Sequence, residues 1–235
     1  MLKIENGFYN HGVFTLKIAL DAAASTLTAV LGPSGAGKST LLNIIAGFET
    51  LQSGVILIDG ANVTARPPPA RPVSMVFQDN NVFPHLSLWQ NVALGVSPAL
   101  RLDAAQRQSV DSALAHVALG PLSQRKPGDV SGGERQRVAL ARVLVRKAKV
   151  LLLDEPFAAL DPGLRREMLA FVQQITAEQK LATLLVTHQP DEIHEAVDAV
   201  TFVSGGEVQS FHPFTFFSSK DASITRYLGT KATKA

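Results

Sequence analysis

Two kinds of apolar pattern divide the chain. Near its start, apolar and polar positions alternate through residues 2–9 and 13–20 (Leu2, Ile4; Phe14, Leu16, Ile18, Leu20), the period of strands with one covered face. They predict an antiparallel pair. Thr26–Leu31 is instead a short apolar run that stops at a glycine, and Lys38–Ala46 follows with helical spacing. Strands are expected at 55–58 and 73–77, separated by a loop carrying Pro67, Pro68 and Pro69, which neither a helix interior nor a central strand accepts. From 88 to 147 the period turns helical (Val110, Leu114, Val117; Val138, Ala141, Val145), predicting an inserted helical unit. The β/α pattern then resumes. A strand is expected at 150–153, a helix at 162–179, a strand at 181–186, a helix at 190–197 and a strand at 200–203. Strands alternating with helices predict an α/β fold with a mostly parallel sheet covered on both faces. Residues 211–235 are aromatic and then basic, and the sequence assigns them no chemistry.

Composition narrows the class. A chain of 235 residues with 46% hydrophobic and 18% charged residues has enough apolar material for a folded core. The net charge of +2 is small and its charges are interspersed, which argues against nucleic acid as a partner. There is no cysteine, so disulfides, thiol catalysis and Cys-ligated metals are excluded. The first residues lack the apolar core of a secretory signal, and no run approaches the roughly 18 apolar residues of a transmembrane helix. Any work at a membrane would require docking on another protein.

Chemistry enters at Gly32-Pro33-Ser34-Gly35-Ala36-Gly37-Lys38-Ser39, which fits G-x-x-x-x-G-K-[ST] with a strand before it and a helix after it. Glycines let backbone N–H groups fold inward around an anion, and the helix start adds its positive dipole end. Lys38 can reach terminal phosphates, and the Ser39 hydroxyl is a hard oxygen ligand suited to Mg²⁺. The other reading, a tight strand-to-helix turn, gives Lys-Ser no purpose. The apolar run 150–153 ends in Asp154 and Glu155, at the carboxyl end of a strand where the phosphate loop also sits. Asp154 is placed to hold Mg²⁺ and Glu155 to polarise a water. Alone, two acids at a strand end are equally a solvated terminus. Ser131-Gly132-Gly133-Glu134 reads as a capping box with Ser131 as N-cap. The box leaves the paired glycines unexplained, so this is a second candidate anion site.

With these motifs in order, the chain resembles the nucleotide-binding subunits of ABC transporters, from Met1 to about Val208. Gly32 through Thr40 match the Walker A loop, Gln78 the Q-loop, Val130 to Gln136 the signature motif, and Val150 to Glu155 Walker B. Ala159-Leu160-Asp161 match the D-loop, and Thr187-His188 the switch histidine. The resemblance implies a P-loop NTPase with three parts: a RecA-like core (1–86 and 148–210), carrying an N-terminal antiparallel β subdomain; a helical subdomain (87–147); and a C-terminal tail (211–235). It also implies ATP and Mg²⁺ as ligands, with Tyr9 stacking on adenine, Ser39, Gln78 and Asp154 around the metal, and Glu155, His188 and Gln78 in hydrolysis. Ser131, Gly132, Gly133, Glu134 and Asp161 would act across a head-to-tail homodimer on the partner's ATP. The signature usually ends in Gln; here the residue is Glu134.

The segment after Gln78, with Val82, Phe83, Leu86 and Trp89, is similar to the importer branch, where it would receive a transmembrane permease at the cytoplasmic face of the inner membrane; a substrate-binding protein would complete the complex. These four residues are equally candidates for the helical subdomain's own core. Within that branch, the run from Arg71 to Asn81 is most similar to ATPases of thiamine importers, with iron and polyamine importers as alternatives. A soluble non-transport ABC ATPase and a P-loop kinase or GTPase are the rival readings.

Overall fold

The computed structural model describes residues 1–77, 82–158 and 160–229. The strands are β1 (Leu2–His11), β2 (Phe14–Ala22), β3 (Thr26–Leu31), β4 (Ser53–Ile58), β5 (Ala61–Asn62), β6 (Val73–Val76), β7 (Val150–Asp154), β8 (Ala182–Val186), β9 (Ala199–Ser204) and β10 (Glu207–Phe211). The helices are α1 (Lys38–Ala46), α2 (Leu88–Ala93), α3 (Ala104–His116), α4 (Gly132–Val145), α5 (Pro162–Glu178), α6 (Pro190–Ile193), α7 (Pro213–Phe217) and α8 (Ala222–Leu228).

Among the described residues, all ten strands join one sheet in the order β5-β4-β1-β2-β10-β9-β3-β8-β7-β6. The run from β9 to β6 is parallel and the run from β5 to β2 antiparallel, as the two sequence patterns predict. The antiparallel part is continuous with the parallel part. Strand β10 splices them, parallel to β2 and antiparallel to β9. Burial follows the patterns: β2 alternates buried and exposed positions, whereas β7 and β8 are covered on both faces.

Three apolar clusters among the described residues hold the layers. One packs Leu41, Leu42, Ile44 and Ile45 of α1 against Leu152 and Leu184 of the sheet. The opposite face sets Leu151, Leu153 and Leu185 against Met168, Val172 and Ile175 of α5. The third belongs to the helical unit, where Val92, Val110, Leu114, Val138 and Ala141 join α2, α3 and α4.

One segment differs from expectation. The helix expected at 190–197 ends as α6 at Ile193, and the chain turns. The turn brings Asp198 to the start of β3, where its carboxylate accepts from the Leu27 amide at 2.8 Å. The segment after 211, to which the sequence assigns no chemistry, packs on the core as far as Leu228. Phe216 is fully buried, Ile224 is 2% exposed, and Phe202 of β9 stacks near both Phe216 and Tyr227 at 5.4 Å.

Candidate functional site

The phosphate loop links β3 to α1. Gly35 has φ +74° and Gly37 φ +105°, backbone geometry that L side chains rarely adopt; a Cβ on Gly37 would also strike the Phe14 ring at 2.5 Å. Helix α1 starts at Gly37 with no side-chain cap and no acid in its first turn, so its first amides stay available to an anion. Lys38 is 6% exposed, and its ammonium donates to the carbonyls of Gly32 at 2.8 Å and Pro33 at 3.0 Å. Burial lowers its pKa, opposed by the charges of Glu155 and Asp154.

The acidic side comes from the ends of β7 and β8. Asp154 closes β7, half-buried, with the Ser39 hydroxyl set against its carboxyl group. Burial raises its pKa, with the Ser39 hydroxyl pulling the other way, the Glu155 charge adding to the rise, and Lys38 and His188 opposing it. Glu155 turns out of the strand at φ +48°, its amide bonded to the Val186 carbonyl at 3.2 Å. A non-glycine residue in that region is strained, and the strain aims its carboxylate into the cleft. There Oε1 meets His188 Nε2 at 2.6 Å. A cleft of about 430 Å³ is bounded by Phe14, Ser34, Gly35, Gly37, Lys38, Ser39, Thr40, Glu155 and His188. A second cavity of about 240 Å³ reaches the Glu155–His188 pair from behind, between Phe157, Arg165 and Leu169. The donor set of Ser39 hydroxyl and Asp154 carboxylate fits a hard divalent cation.

The structure therefore gathers Ser34, Gly35, Gly37, Lys38, Ser39, Thr40, Asp154, Glu155 and His188 around one site. Gly32 and Pro33 serve it through their carbonyls, and Ala36 closes the loop by donating to Pro33 at 3.2 Å. Gln78 lies outside the described residues.

The other candidates stand apart from the cleft. Ser131 caps α4, its amide and hydroxyl donating to Glu134 Oε2 at 2.7 and 2.8 Å. The Ser131 bonds hold the Glu134 carboxyl below its ordinary range. The paired glycines separate in role. A Cβ on Gly133 would strike Leu164 of α5 at 2.5 Å, whereas Gly132 is open to solvent. Asp161 caps α5, accepting from the Leu164 amide at 3.0 Å.

Tyr9 is corrected. It is 4% exposed, hydrogen-bonds Glu49 at 2.9 Å and belongs to the core on the α1 side. The cause is a bulge. Asn6 takes φ +49° and the register slips between Ile4 and Gly7, so the buried face passes from Leu2 and Ile4 to Gly7 and Tyr9. The aromatic at the cleft is Phe14, edge-on to Tyr9 at 6.3 Å. In the sequence Phe14 is only one of four alternating apolar positions; its proximity to Gly37 emerges only in the fold.

Of the apolar residues after Gln78, Val82 and Trp89 pack on the helical cluster, while Phe83 is 44% exposed. No described helix is long and apolar enough to cross a membrane.

Comparison with known proteins agrees with this arrangement. The family model described as ABC transporter matches residues 16–158. The chain is 50% identical to a thiamine import ATP-binding protein of Mesorhizobium japonicum, an alignment covering all of this chain and 93% of that one. It is 48% identical to the protein of the same description from Rhizobium meliloti, over 92% and 93% of the two chains. Among solved structures, an ATP-binding cassette of an ABC transporter in its ADP conformation superposes with a TM-score of 0.88 over 98% of this chain and 99% of that one, at 23% identity. The cbiO1 protein of Clostridium perfringens gives 0.83 at 31% identity, over 98% and 95%.

Proposed function

The chain belongs to the ABC transporter family as an ATP-binding, ATP-hydrolysing subunit, and from that premise we propose that it drives import of thiamine or its phosphates. The observation that carries the ATPase reading is the meeting of Lys38, Ser39, Asp154, Glu155 and His188 in one cleft. The cargo rests on the relatives described as thiamine import ATP-binding proteins, which align over nearly the whole chain. No residue of this subunit needs to touch the cargo.

The chemistry follows from the residues. Loop amides and the start of α1 receive the phosphates, and Lys38 exchanges its two carbonyl partners for phosphate oxygens. Ser39 and Asp154, with Gln78, supply oxygen donors for Mg²⁺, which when bound neutralises phosphate charge. Glu155 orients and polarises the attacking water, and His188, bonded to it, faces the terminal phosphate. Phe14 offers an aromatic surface beside the loop. Ser131, Gly132 and Gly133, which do not line their own cleft, serve the ATP of a second copy arranged head to tail, with Asp161 at the seam. The assembly sits on the cytoplasmic face of the inner membrane, bound to a permease and working with a substrate-binding protein.

The test is reconstitution in liposomes with a permease encoded beside its gene. Thiamine presented on its binding protein should raise ATP hydrolysis and accumulate inside, whereas iron or polyamines should do neither. Accumulation of one of those instead would remove thiamine as the cargo.

A further inference from the structure

Helix α4 carries the signature residues at its first turn, and near its far end it is fastened to the segment that precedes α2. Asn91 of α2 is fully buried. Its amide nitrogen donates to the carbonyls of Phe83 at 3.1 Å, Leu86 at 3.3 Å and Ser87 at 3.0 Å. Its Oδ1 accepts from the Phe83 amide at 2.8 Å and from Arg142 Nη2 at 3.2 Å. Arg142 Nε donates to the Asn91 carbonyl at 3.0 Å, and its guanidinium lies 5.9 Å from the Phe83 ring centroid. One asparagine thus pins residues 83–87, and one arginine pins that asparagine to α4. An apolar side chain at 142 would fill the space beside α2 without the desolvation that burial imposes on a guanidinium, so packing alone does not call for arginine. From Arg142 to Ser131 is eleven residues of continuous helix, about 16 Å at 1.5 Å per residue. Gln136, midway, donates to the Pro156 carbonyl at 2.7 Å, next to Glu155.

We propose that the Asn91–Arg142 clasp is a positioning pair that transmits displacement of residues 83–87 into α4, and so carries that displacement on to Ser131 and Gly133. The proposal rests on the importer reading, in which a permease presses on that exposed segment. Neither residue lines the cleft. The clasp is a two-way device: a push at Phe83 moves α4, and closure of α4 on nucleotide moves Phe83.

The experiment compares Arg142→Lys, which keeps the charge and loses the fork, with Arg142→Met in the reconstituted permease complex. Both variants should keep the subunit's unstimulated hydrolysis and its ATP affinity within about twofold, while stimulation by thiamine-loaded binding protein falls about fivefold or more, the scale of a lost coupling between sites. Equal loss of stimulated and unstimulated rates would mean that the pair is merely structural and would overturn the proposal. Unchanged stimulation would overturn it too. A second readout needs no cargo. The chain has no cysteine, so spin labels can be placed through His85→Cys and Asp129→Cys in the full-length protein. The distribution of distances between them should be narrow when Arg142 is intact and broader once Arg142→Lys is added; an unaltered distribution would sink the clasp. If wild-type complex ignores thiamine, the cargo reading fails while the label measurement still decides the clasp.

Discussion

Tyr9 and Phe14 show how a single backbone angle decides which aromatic borders the cleft. The positive φ of Asn6 turns Tyr9 into the core and leaves Phe14 beside the phosphate loop. Phe14→Ala should therefore weaken ATP binding, by roughly 1 kcal/mol or about fivefold in Kd if the ring stacks on the base. Tyr9→Phe should leave nucleotide affinity unchanged and lower stability by about 1 kcal/mol through the lost Glu49 bond. Fluorescent-nucleotide titration and urea unfolding separate the two, and the reverse outcome would restore Tyr9 to the site. Asp154 illustrates function held against stability. Its raised pKa means that the native state binds this proton more tightly than the unfolded chain does. The penalty for its charge is thus present above the folded pKa and fades as pH falls through it. Asp154→Asn should raise the melting temperature near neutral pH without nucleotide, with a gain that shrinks on acidification, and should abolish Mg²⁺-dependent hydrolysis. A lower melting temperature at neutral pH would contradict this account.

Among the elements, α1 depends on a residue outside it. Arg71 is 4% exposed and donates to the carbonyls of Ile44 and Ile45 at 2.8 and 2.9 Å, the last turn of α1, and to Thr64 and Arg66 at 2.9 and 2.8 Å. It closes the end of the helix that begins at the glycine-rich loop, and Gly47 is small enough to let it in. Arg71→Met should destabilise the protein by about 3 kcal/mol, because several buried carbonyls lose a charged donor together. A urea-unfolding loss below about 1 kcal/mol would show that water replaces the guanidinium. The C-terminal helices are a second dependence. Their aromatic residues cover the β9 face at Phe202, so this segment completes a layer of the core.

For the whole molecule, it matters that the signature residues are not among those lining the cleft. A protomer whose own Ser131 and Gly133 do not line its cleft should hydrolyse ATP slowly alone, with specific activity climbing with protein concentration until dimers dominate. Glu155→Gln should bind ATP, accumulate as a dimer in gel filtration and lose roughly 10²–10⁴-fold in turnover. Concentration-independent specific activity, or normal turnover in that variant, would each remove a part of the mechanism.

Much of this was legible in the sequence, because local rules govern it. Alternation against continuous apolar runs separated one-sided strands from the buried parallel ones, as β2 and β8 show. The phosphate loop was readable because glycines, Lys38 and Ser39 act within eight consecutive residues, and Ser131 with Glu134 because a capping box spans four. Tertiary structure alone decided the rest. Whether Tyr9 or Phe14 faces the cleft depended on a bulge that resets strand parity. The aromatic C-terminal run gained a purpose only when β10 joined β2 to β9. The bond between Glu155 and His188, and the one from Arg142 to Asn91, link residues far apart in the chain. Sequence governs what a stretch of backbone can do with its neighbours; which distant groups share a site is settled by how the layers pack.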